Sequence, residues 1–246
     1  MPQGIVAAAD TFISSQQDAM VSSWAEKLAT IGLRQLFKKL DRPFSCRSMH
    51  GKASGQIVQE LLDSVLDRAD ENFVEVLLPG LARHIALQSG YVCNPDAGVD
   101  IEMERDGKRY LIAVKSGKAW GDATQHKKLR ENFASAVRVL RQSKHVGEIQ
   151  PTLGICYGRF KQIDNGNYLH IGGKDFWELI SGEPDLYMDI IEPIGYRAKE
   201  LNDAFHEKRD RAMNRMVREF TERFCMEDGS IDWPKIVTLV SDNIAS

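Results

Sequence analysis

The chain has 246 residues, enough for one ordinary domain with a lesser helical appendage. Its 32 Lys and Arg against 35 Asp and Glu give a formal charge of -3, which excludes a histone-like or wholly basic coat but leaves room for a local basic surface that meets nucleic acid. With 43% hydrophobic and 27% charged residues, the composition supplies a core and a polar surface and excludes disorder as the general state.

The opening stretch MPQGIVAAADTFISS has no basic leader and makes a poor secretory signal. No apolar run approaches the roughly 20 residues that cross a bilayer. Cys46, Cys93, Cys156 and Cys225 form no CxxC pair and no Cys/His cluster of zinc spacing, so they are expected to be reduced. These features predict a cytoplasmic, intracellular protein with no membrane partner.

Residues 18–39 carry a helical pattern, with Trp24, Leu28, Ile31, Gln35 and Leu36 on a broad stripe and a stop at Asp41-Arg42-Pro43. A loop with Ser45, Ser48 and Gly51 leads to a second long helix whose apolar face holds Ile57, Leu61, Leu62, Val65 and Leu66. Pro79 divides it from another helix ending near Gly90. From residue 91 to 114 the pattern becomes extended, and Asp106-Gly107 is the strongest hairpin signal in the chain. A helix is predicted at residues 125–141 and strands at 152–157 and 168–171. Gly172-Gly173-Lys174 lacks the Walker spacing and reads as a tight turn before a short helix at 175–180, with Phe176 and Trp177 as packing anchors. Turns follow near residues 181–184 and 228–229. A C-terminal helix mixes Arg209, Arg211, Arg215 and Arg218 with Met213, Met216, Val217 and Phe220, suited first to core attachment and next to a dimer contact. Trp233 pins the last helix.

The informative segment is GVDIEMERDGKRYLIAVKSGK. If Asp106-Gly107 is a two-residue turn, Arg105 pairs with Lys108, Glu104 with Arg109, Glu102 with Leu111 and Asp100 with Ala113. Alternation then sets Asp100, Glu102, Ala113 and Lys115 on one face, with Ile101, Met103, Ile112 and Val114 on the other. Charges on a core-facing surface need a partner or a ligand. A carboxylate beside a lysine can hold a divalent cation while the ammonium orients water or steadies charge on phosphate. Magnesium asks for oxygen ligands, which Asp100 and the backbone carbonyl of Val114 offer. A solvated face of cross-strand ion pairs is the competing reading of the same residues.

GVD, twelve intervening residues and AVK resemble the PD-(D/E)XK nuclease signature of type II restriction endonucleases. Asp100 matches the first metal-binding aspartate of that family, Lys115 its lysine, and Ala113 stands where its second acid belongs. LGICYGRF from residue 153 and IGGKDFWELISGEP from residue 171 resemble a small group of these enzymes that cut short, nearly palindromic sites as dimers, over residues 56–235. The resemblance implies a restriction-endonuclease-like α/β fold: a mixed sheet core flanked by helices, with helical terminal elements. It also implies a prokaryotic source, magnesium-dependent hydrolysis of double-stranded DNA by water attack on phosphorus, and a homodimer.

Ala113 departs from this pattern, since a methyl group binds no metal. Three readings stand. The ligand has migrated, to Glu60 on the helix before the hairpin or to Glu102; an alanine has been introduced to trap uncut DNA; or the scaffold binds DNA without cleaving it. A repair or junction nuclease on the same scaffold is a further alternative. Candidate DNA contacts are Lys118, Gln125, His126, Lys127 and Lys128 beyond the hairpin, and Arg47, His50 and Lys52 in the basic loop before it; a solvated helix face and a plain connector are their ordinary readings. Gln125 would support Lys115 or contact a phosphate. The whole is expected to form a single endonuclease-like domain over 1–246, with an N-terminal helical, DNA-clasping region at 1–55, a catalytic core at 56–180 and a helical packing or dimerisation region at 181–246.

Overall fold

The computed structural model describes residues 2–37, 52–93, 99–117, 120–142, 147–159, 161–164 and 166–241, with the backbone alone at 2–3, 67–72 and 192–204. The chain forms two compact units, one from Met1–Gln17 and Phe73–Arg197, the other from Asp18–Asn72 and Ala198–Ser246. The divisions expected after residues 55 and 180 do not coincide with these, because three helices each contribute a segment to both units. The helices are α1 (Pro2–Thr30), α2 (Leu33–Phe37), α3 (Ser54–Gln88), α4 (Ala123–Gln142), α5 (Lys174–Ser181), α6 (Leu186–Asp189), α7 (Ile191–Phe224) and α8 (Trp233–Ser241).

The first unit is built on a five-stranded sheet of β1 (Ile101–Arg105), β2 (Lys108–Gly117), β3 (Glu148–Tyr157), β4 (Ile163–Asp164) and β5 (Leu169–Gly172), in the order β1-β2-β3-β5-β4. β1 and β2 are antiparallel, β2–β3 and β3–β5 parallel, and β4–β5 antiparallel, so the sheet is mixed, as expected. The β1–β2 turn has positive φ at both central residues, 53° at Asp106 and 74° at Gly107, the geometry in which hairpin twist and turn twist agree. Its register follows the prediction from Arg105–Lys108 to Ile101–Ile112.

Alternation sends the two sets of side chains to different layers. Ile101, Met103, Ile112, Val114, Cys156 and Ile171 share a buried cluster with Ala9 and Ile13 of α1, Leu78, Leu81 and Ile85 of α3, and Phe176 and Trp177 of α5. Leu111, Ala113, Leu153 and Ile155 share another with Leu129 and Phe133 of α4, the crossover helix between parallel β2 and β3. Phe176 and Trp177 are packing anchors, as predicted: both are fully buried, and Trp177 Nε1 donates to the Cys156 carbonyl at 2.9 Å.

Pro79 lies inside α3 and does not divide it. An interior proline costs a helix about 3 kcal/mol. Leu78, Leu81 and Ile85 are nearly or fully buried on this segment, and each contributes about 1.5–3 kcal/mol on burial, so packing outweighs the break. The helix expected to run through residue 39 stops at Thr30. It resumes at Leu33, where the Gly32 N–H donates to Gln35 Oε1 at 2.7 Å and starts a new turn.

In the second unit Leu33, Leu36 and Phe37, Ile57, Leu61 and Leu62, Met216, Phe220 and Phe224, and Ile236 form one core. Trp233 packs against it, and Arg215 caps the end of α1 by donating to the Leu28 and Ile31 carbonyls at 2.8 and 3.0 Å. Among the described residues, Cys93, Cys156 and Cys225 are free thiols, and no helix is long and apolar enough to cross a membrane.

Candidate active site

The end of β2 is where the sheet becomes chemically distinctive. Val114, Lys115 and Gly117 there, with Asp100 just before β1, line a cavity of about 590 Å³. Glu75, Pro79 and Arg83 of α3 line it as well, as do Trp120 and Gln125 on the approach to α4. Every one of these residues belongs to the first unit.

Asp100 does not continue the strand alternation. Its backbone N–H donates to the Ile112 carbonyl at 2.8 Å, although Ile112 is already the partner of Ile101. Val99 packs with Leu111 and Ala113, while Ile101 packs with Ile112 and Val114, so the chain bends at Asp100 as an extra residue does in a bulge. The bend corrects the face assignment: Asp100 and Ala113 are not neighbours on one surface. Asp100 Oδ2 accepts the Val114 N–H at 2.8 Å, and Oδ1 accepts from Arg83 Nη1 at 3.0 Å. Ala113, 3% exposed, sits in the apolar cluster with Val99, Leu129 and Phe133 and is not among the residues lining the cavity.

The Lys115 ammonium lies 4.9 Å from the centroid of the Trp120 ring, within range of a cation–π attraction. Trp120 is braced edge-on by His126, 5.2 Å between ring centroids, and His126 Nδ1 is 2.9 Å from the Tyr168 hydroxyl. Asp122 and Gln125 cap α4 reciprocally. Gln125 N–H donates to Asp122 Oδ1 at 2.8 Å, and Asp122 N–H donates to Gln125 Oε1 at 3.1 Å, which leaves the Gln125 amide NH₂ able to donate elsewhere. Lys127 and Lys128 are exposed on the same turn, with Lys127 4.0 Å from Glu131.

The other predicted residues have different settings. Glu102 pairs with Arg109 at 3.2 Å and lines a separate cavity with Leu111, Ser135 and Val139, so it does not join Asp100. Glu60 belongs to the second unit, where it pairs with Lys52 at 2.5 Å. Arg47, His50 and Lys118 lie outside the described residues.

Glu75 and Arg83 are functional candidates that sequence reasoning missed. Read as one uninterrupted helix, positions 75, 79 and 83 fall at i, i+4 and i+8 on one stripe; treating Pro79 as a break concealed it. Near Asp100, burial pushes the Cys93 thiol above its ordinary pKa, against the lowering effect of Arg83 and with a smaller upward push from Asp100. Burial, and then Asp100, push Cys156 up strongly. Both are soft donors that a hard cation such as magnesium does not favour.

Among the described residues, no group of three or more His, Cys, Asp or Glu is arranged to hold a metal. The donor set still suits magnesium, which takes one or two carboxylates and fills the remaining positions with water and substrate oxygens. Asp100 and Glu75 are two hard-oxygen donors on one cavity, and a carboxylate holding two hydrogen bonds retains lone pairs for a cation.

A family model described as type II restriction endonuclease EcoO109I matches residues 7–202, more than half of the chain. No curated protein matches the sequence.

Proposed function

From the chain's membership of the type II restriction endonuclease EcoO109I family, we propose that it is a magnesium-dependent endonuclease that hydrolyses duplex DNA at a specific site, working at the cavity lined by Glu75, Asp100 and Lys115. The observation that carries this is the meeting of two carboxylates and one lysine on a single cavity at the end of β2. A divalent cation bound there would supply positive charge that offsets the charge building on the phosphate. Asp100, fixed by the Val114 N–H, and Glu75 from α3 would hold it. Glu75 takes the part of the acid that position 113 lacks, so the enzyme needs no carboxylate in β2. Lys115, held beside the Trp120 ring, orients the attacking water and stabilises the charge that builds as it attacks phosphorus.

Gln125, His126, Lys127 and Lys128 at the start of α4, with Lys118 before it, contact phosphates and set the duplex in register. A net charge of -3 gives the whole chain no general attraction for DNA, so affinity rests on such local clusters and falls as salt rises. A homodimer would bring two cavities to the two strands of a palindromic site, in the cytoplasm of a prokaryote.

Incubation with long duplex DNA in magnesium, against a chelated control, tests this reading. Discrete fragments are expected from the wild type. Lys115→Ala should lower the cleavage rate by about 10²–10⁴-fold with duplex binding retained, and Glu75→Gln should lower it comparably. Wild-type turnover in Glu75→Gln would remove Glu75 from the site. A folded wild type that binds duplex yet leaves it intact in magnesium would establish the non-cleaving reading instead.

A further inference from the structure

Arg83 is a charge at the cavity that the proposed chemistry does not yet use. Its Nη1 stands 3.0 Å from Asp100 Oδ1, in an ion pair that keeps about a third of the Arg83 side chain exposed. Of the side chains lining the cavity, Glu75 and Asp100 carry negative charge and Arg83 and Lys115 positive charge, so the four formal charges cancel. A divalent cation approaching Asp100 therefore meets a guanidinium already on the carboxylate it requires, and the two positive groups repel at short range. A DNA phosphate offers that guanidinium an alternative acceptor. The planar fork of Arg matches phosphate oxygens two at a time, as an ammonium does not.

We infer that Arg83 is an exchange residue, the counter-ion of Asp100 in the free protein and of a DNA phosphate once cation and duplex occupy the cavity. The inference rests on the nuclease reading above and adds to it a linkage between the two ligands. Because the cation repels the guanidinium from Asp100 and the phosphate receives it, each ligand tightens the other by the same factor.

The test is calorimetric titration with calcium, with and without a duplex that the wild type cuts in magnesium, and with a gel confirming that the duplex stays intact. In the free protein, Arg83→Met should bind calcium about tenfold or more tightly than the wild type. Duplex should tighten wild-type calcium binding by about tenfold and leave that of Arg83→Met nearly unchanged. Arg83→Lys keeps the charge but not the fork, so it should retain weak calcium binding in the free protein and lose most of the coupling. If Arg83→Met fails to fold by circular dichroism, Arg83→Gln replaces it and carries the same expectation. Equal or weaker calcium binding by the charge-removing variant overturns the exchange. A wild type that neither cuts DNA in magnesium nor takes calcium would instead bring down the nuclease reading, and the exchange with it.

Discussion

A methyl group at position 113 sits in a buried apolar cluster with Val99, Leu111, Leu129 and Phe133. The sequence motif places an acid there, but among the described residues its neighbours in that cluster are aliphatic and aromatic side chains. Transfer of a charged carboxylate into such a cluster is strongly unfavourable, and even its neutral form costs a few kcal/mol without a hydrogen bond. Ala113→Glu should therefore lower the melting temperature by several degrees and give no gain in magnesium-dependent cleavage, read by thermal unfolding beside a cleavage assay. A clear gain from a folded Ala113→Glu protein would mean that an acid had been removed from this site and that the surroundings adapt to receive it. The same residue shows where counting along a strand fails. The Asp106-Gly107 turn sets every pair from Arg105–Lys108 to Ile101–Ile112, because a two-residue turn with two positive φ angles allows one register. Asp100 lies one step beyond, where the chain bends and its carboxylate turns to Arg83 and the Val114 N–H. A bulge inserts a residue that period-two alternation has no means of announcing.

Elements were legible where local pattern and tertiary packing agree, as in the strand at β3, the helix at α4 and the glycine-started α5. α3 was read as two helices because a proline rule, sound for an isolated helix, gives way to the burial of Leu78, Leu81 and Ile85. The misreading hid the stripe that lines the cavity as well, since Glu75 and Arg83 lie one turn to either side of Pro79. Proline has no N–H, so the Glu75 carbonyl lacks its usual helical partner four residues on, beside the cavity. Pro79→Ala should restore that bond and stabilise the protein by about 1–3 kcal/mol in urea unfolding. Cleavage should stay near the wild-type rate, because α3 runs unbroken through Pro79 and the stripe of Glu75 and Arg83 is kept. Unchanged stability would show that packing had already absorbed the proline. A loss of turnover would show that the positions of Glu75 and Arg83 depend on the proline.

At the scale of the molecule, the two compact units are each assembled from separated stretches of chain. Composition gives no sign of this, because no linker of distinctive sequence marks the crossings; they fall inside α1, α3 and α7. The unit that carries the cavity therefore takes part of its core from residues far away in sequence. Ile13 of α1 is fully buried in the same cluster as Leu81 and Ile85 of α3 and Ile112 and Val114 of the hairpin. Removing its side chain to the β-carbon should cost about 2–5 kcal/mol, a large fraction of the roughly 5–15 kcal/mol that holds a typical domain. Ile13 is not among the residues lining the cavity. Ile13→Ala should accordingly unfold at clearly lower urea, yet cleave DNA at near the wild-type rate when assayed cold and in the absence of denaturant. A loss of turnover in fully folded Ile13→Ala, with stability little changed, would mean that α1 acts on the site directly. Urea midpoints and low-temperature cleavage rates, measured on the same preparation, distinguish a core residue from a catalytic support.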